Sequence, residues 1–192
     1  MFAKNRLEAF SDGVLAIVIT IMVLELKAPH EADISQLKAL FPKFFSYVLS
    51  FIYVGIYWNN HHHMFSVVEK VNGKILWGNT HLLFWLSLIP FATSWMGETR
   101  FSPLSTMLYG FVLLMSSVAY FLLESLIIRS HGGQKLKKAV GRDWKGKLSP
   151  IFYLLGMAVS PFSTFASVAF YTGLAVLWIV PDTRIEKFTE EK

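Results

Sequence analysis

Arg6 and Asp12 stand at the head of a long apolar run. A charge entering such a run marks either a water-filled ion path or a pairing partner within the protein. Helical geometry separates the two. At about 100° per residue, Ile17, Thr20 and Leu24 lie within about 60° of one another and form one stripe, bordered by Ile21. Arg6 falls near that stripe, about three turns below Ile17. Asp12 is turned about 140° from Ile17 and faces a different neighbour. One face thus carries a narrow apolar stripe broken by a single hydroxyl, and another carries a carboxylate that needs donors. The residue types leave the stripe's surroundings open, because lipid contact and bundle packing ask for the same side chains as a pore wall.

The run His61-His62-His63 raises the question of metal. Adjacent helical positions point about 100° apart, whereas one ion on a helix takes ligands at i and i+4. A packed His61 with two interfacial neighbours is the better reading, with a pH-sensing histidine left open. Glu25 reads equally as a cation-concentrating group and as a solvated helix end, and Glu124 as a snorkelling or paired carboxylate near a span's inner end. Without cysteine there is no disulfide, thiolate metal site or thiol nucleophile. No convergent set of acid, base and nucleophile is visible, which argues against an enzyme.

The elements that must position these residues are membrane spans. Of 192 residues, 54% are hydrophobic and only 16% charged, well below the quarter or so usual in soluble domains. A soluble core of this size cannot hide so much apolar surface, and lipid is its natural solvent. Six apolar segments follow one another: Leu7–Leu26, Phe44–Met64, Leu76–Met96, Leu104–Ile128, Leu148–Ser160 and Phe162–Val180. The fifth is short for a bilayer and must tilt little or borrow flanking residues. Pro90 predicts a kink in the third, and Ser160-Pro161 a tight turn between the last two. A signal peptide is a poor account of the first run, which is too long and lacks a following cleavage site. The expected architecture is all-α, one six-span membrane domain over residues 1–192, with no internal repeat.

Seven Lys or Arg lie between Arg129 and Lys147, against one, Arg100, between the third and fourth segments. The positive-inside rule puts that basic loop and both termini in the cytoplasm of a multi-pass cell-membrane protein. Lys27, Lys38 and Lys43 in the first connection are the contrary vote. The net charge of +5 does not suggest nucleic acid, because the basic residues gather in one connection rather than along an aromatic-interleaved face.

At Arg6-x-x-x-Phe10-Ser11-Asp12, followed by a helix rich in Ile and Leu, the chain resembles the transmembrane protein 175 family, the lysosomal potassium channel and its bacterial single-repeat relatives. Trp58-x-x-His61-x-x-x-Phe65 at the end of the second span resembles that family's second motif. The six-span layout extends the likeness over the whole chain, although its specific part is about thirty residues. The resemblance implies a potassium-permeable, moderately selective channel without a re-entrant filter loop, and no Thr-Val-Gly-Tyr-Gly stretch occurs here. It implies a pore lined by the first helix, so that Ile17, Thr20 and Leu24 would form the wall and its constriction. It implies a homotetramer in the lipid bilayer, potassium as the permeant ion, and no cofactor. It also implies that Arg6, Phe10, Ser11, Asp12, Trp58 and His61 tie the first helix to the second and third. A secondary transporter is the alternative, and would show inverted repeats and broken helices around a midplane site.

Overall fold

The computed structural model describes residues 4–29, 32–68, 70–130, 136 and 144–179. Its helices are α1 (Lys4–Leu24), α2 (Ile34–Ala39), α3 (Phe41–Ser66), α4 (Gly73–Ser87), α5 (Ile89–Glu98), α6 (Pro103–Ile128), α7 (Trp144–Val159) and α8 (Thr164–Ile179). With α4 and α5 forming one kinked span, six segments cross the bundle. Most of the basic stretch before Lys147, and the C-terminus beyond Ile179, lie outside the described residues.

Proline and polar caps set most boundaries. Prolines sit in the first turn of α3, α5 and α6, where a missing backbone N–H costs nothing. Pro90 is the break expected in the third span, and it divides Gly73–Glu98 into α4 and α5. Asn72 caps α4 by accepting a hydrogen bond from the Ile75 N–H at 3.0 Å. The fifth span does borrow from its flank. α7 starts at Trp144, and its 16 residues reach about 24 Å. The turn after it is pinned by the Ser160 hydroxyl, which donates to the Pro103 carbonyl at 2.9 Å. The short α2 was not foreseen, because six residues are too few to carry a periodic signal.

α1 packs on α3, α4 and α5, α6 packs on α4 and α5, α8 on α3, and α7 on α6 and α8. The seam of α3, α6, α7 and α8 is rich in buried tyrosine, with Tyr53, Tyr109, Tyr153 and Tyr171 all enclosed. Hydrogen bonds make that burial possible. Tyr53 donates to the Tyr171 carbonyl at 2.7 Å, Tyr171 to the Thr106 carbonyl at 3.3 Å, and Ser50 bridges Thr93 at 2.6 Å and Tyr109 at 2.9 Å. Glycines make room for the rings. A Cβ on Gly110 would collide with the Tyr171 hydroxyl, and one on Gly156 with the same ring.

Candidate functional site: the first helix and its exposed stripe

The inward face of α1 is Leu7, Ser11, Leu15, Val18 and Met22, spaced four, four, three and four residues apart. That is the spacing of a single helical stripe. A second stripe runs down the opposite side. Arg6, Phe10, Gly13, Ile17, Thr20 and Leu24 fall within about 80° of one another, and all six are exposed in the single subunit. Ile17 is 60% exposed and Leu24 71%. Among the three longest apolar spans, the α1 stretch is 28% buried, against 50% for Gly73–Glu98 and 39% for Pro103–Ile128. The least buried of these three spans is therefore the one that carries this stripe.

Thr20 interrupts this stripe with a hydroxyl of fixed polarity. Its Oγ1 donates to the Ala16 carbonyl at 2.9 Å. The proton is thereby turned into the helix, and the oxygen lone pairs remain for an outside donor or cation. Glu25 follows the stripe at its far end, where its carboxylate accepts a hydrogen bond from Ser94 at 3.1 Å. At that same end Lys43 pairs with Glu98 at 3.0 Å, so one of the three contrary lysines has its charge partnered.

The other faces of α1 are fastened by polar contacts near its start. Asp12 accepts from the Trp58 indole N–H at 3.0 Å. Ser11 is fully buried, donates to the Leu7 carbonyl at 2.9 Å, and accepts from the Asn79 amide at 2.9 Å. The Asn79 carbonyl oxygen then meets His61 Nε2 at 2.8 Å. Since Asn79 uses its nitrogen on Ser11, His61 must be the donor, and the chain His61–Asn79–Ser11–Leu7 runs in one direction. His61 also packs on Phe65, with ring centroids 4.6 Å apart. His62 stacks instead on Trp58, and His63 meets His62 edge-on. The three histidines thus have three different surroundings and do not converge.

Ser11, Asp12, Trp58 and His61 are brought together. Arg6 and Phe10 are not: both lie on the exposed stripe, and Phe10 is 58% exposed. Their helical phase is the reason, because Arg6 and Phe10 sit seven and three residues before the stripe position Gly13, on its own side of the helix. Asn79 is the member that sequence reasoning missed. A lone amide within an apolar span was the available signal, since such groups in a membrane bond across helices.

The described residues thus form an all-helical membrane protein whose first helix is polar-anchored on one side and exposed along another. The comparisons specify the family. The family described as endosomal/lysosomal potassium channel TMEM175 matches residues 6–90. A potassium channel of Chryseobacterium sp. (strain P1-3) is 54% identical over 189 residues, covering 98% of either chain. The crystal structure of a lysosomal potassium-selective channel TMEM175 homolog from Chamaesiphon minutus superimposes with a TM-score of 0.80 at 28% identity, over 93% of this chain and 97% of that one. The human endosomal/lysosomal proton channel TMEM175 is 35% identical over 102 residues, 47% of this chain and 20% of its own. The chain belongs to the TMEM175 family.

Proposed function

We propose that this chain is one subunit of a potassium-permeable, moderately selective cation channel, in which four copies place α1 around a common axis. The whole chain forms the one channel domain, in the cell membrane, with both termini cytoplasmic. The observation that carries this reading is the uninterrupted exposure of Arg6, Phe10, Gly13, Ile17, Thr20 and Leu24 on the side of α1 turned away from the bundle. The names of the relatives agree with it.

Conduction is then passive. Rings of Ile17 and Leu24 would form an apolar constriction that closes by dewetting and opens when the four helices dilate or rotate slightly. Between them Thr20 supplies a ring of outward lone pairs, suited to a partly dehydrated cation and unsuited to an anion. Potassium sheds water at lower cost than sodium, so a ring of this kind prefers it without being strict. Ser11, Asp12, Trp58, His61 and Asn79 hold α1 in rotational phase, so that the stripe and not a flank meets the axis.

The test is ion flux from liposomes containing the purified protein, with potassium compared against sodium, and a pH-sensitive dye reporting protons because the human relative is named for them. Potassium-favouring flux that changes in Leu24→Asn supports the reading. Inserted, oligomeric protein that passes neither cation would overturn it. Saturable flux coupled to a second ion would mean a transporter instead.

A further inference from the structure

A groove runs between the start of α4 and the end of α6, at the same end of the bundle where α1 begins. Its rim holds Lys74 and Arg129, both exposed, and among the described residues no carboxylate lines it. Among the described residues neither cation has a hydrogen-bond or ion-pair partner. Its wall is apolar, formed by Leu122, Leu126 and Trp77, and Trp77 is 77% exposed. The floor is tight, because a Cβ on Gly78 would lie 2.8 Å from the Leu126 side chain. Deeper in the groove, His81 Nε2 accepts from the Trp85 indole at 3.0 Å. The neutral ring therefore carries its proton on Nδ1, a buried atom with no partner.

We propose that this groove binds one anionic phospholipid. Lys74 and Arg129 take the phosphate, and Trp77 and the two leucines take an acyl chain. Charge complementarity decides the headgroup, since two exposed cations stand over an apolar wall with no opposing acid among the described residues. The depths agree as well. His81 is seven residues beyond Lys74, about 10 Å further into the bilayer along α4, where headgroup gives way to chain. Trp77 between them occupies the belt where indoles settle at the membrane interface. The choice of the cytoplasmic leaflet rests on the orientation proposed above; the site itself does not.

The test is native mass spectrometry of the full-length protein released from detergent and titrated with phosphatidylglycerol or phosphatidylcholine. Two basic contacts predict roughly thirtyfold tighter retention of phosphatidylglycerol. Lys74→Gln with Arg129→Gln should remove that preference. Lys27→Gln with Lys38→Gln, at the opposite end, should leave it intact. Potassium flux and elution volume show that each variant is folded. A preference that survives the Lys74/Arg129 pair, or that is lost in the Lys27/Lys38 pair, overturns the proposal. So does release of the lipid by millimolar inorganic phosphate, which would mark a soluble-anion site. A change of subunit number in the Lys74/Arg129 pair, without lipid in either protein, would mean that a second copy covers the groove. Because retention is read without conduction, a non-conducting protein that still selects phosphatidylglycerol leaves this inference standing.

Discussion

Tyr53, Tyr109 and Tyr171 lie between α3, α6 and α8 with each phenol oxygen hydrogen-bonded to another helix. On α1, by contrast, the stripe from Arg6 to Leu24 has one hydroxyl, and that is bonded only to its own helix. Both regions place polar atoms at membrane depth. The seam meets the cost by bonding these three phenols across helices and filling the space with rings. The stripe leaves its lone pairs and apolar side chains without a partner in the subunit. A protein built only for stability would cover such a helix, so the two regions should respond to mutation in opposite ways.

The largest effect is expected in the seam. Gly110→Val inserts side-chain atoms where the Tyr171 hydroxyl already stands, and should cost about 3 kcal/mol or more, read as lost oligomer on size-exclusion chromatography. Next comes Asn79→Leu, which strips partners from buried Ser11 and His61. A loss of about 1 to 3 kcal/mol is expected, seen as a lower melting temperature. Asp12→Ala frees the Trp58 indole at a half-exposed site, and should reduce assembly by about 1 kcal/mol while leaving the potassium-to-sodium ratio unchanged. If Asp12→Ala assembled normally yet lost potassium preference, the separation of anchoring face from pore face would fail. Smallest in stability, within about 0.5 kcal/mol, should be Ile17→Asn and Thr20→Val on the exposed stripe. Their effect belongs to flux: Ile17→Asn should raise it by easing wetting, and Thr20→Val should lower the potassium-to-sodium ratio where Thr20→Ser retains it.

Much of this contrast was legible in the sequence. Hydropathy and proline give the six spans, the kink at Pro90 and the turn at Ser160, because lipid imposes length and the missing N–H imposes a break. Helical phase gives the Ile17, Thr20 and Leu24 stripe and sets Asp12 apart from it. The same phase also put Arg6 on the stripe, and the structure shows it there with Phe10 rather than among the anchoring residues. Asn79 was not legible, since its role depends on the register between α1, α3 and α4, which no local pattern encodes. The clasp of Gly110 and Gly156 around Tyr171 was hidden for the same reason, being a meeting of three helices distant in sequence.

The central claim is that the exposed stripe of α1 faces the ion path, and a chain without cysteine allows a direct reading of it. Single cysteines would be placed at Gly13, Ile17, Thr20 and Leu24, and in separate variants at Leu15, Val18 and Met22, with potassium flux followed as a charged thiol reagent is added from the water. Block confined to the stripe positions is the predicted result. Block at Leu15, Val18 or Met22 with the stripe unaffected would show that α1 turns another face to the ions, and would contradict the account.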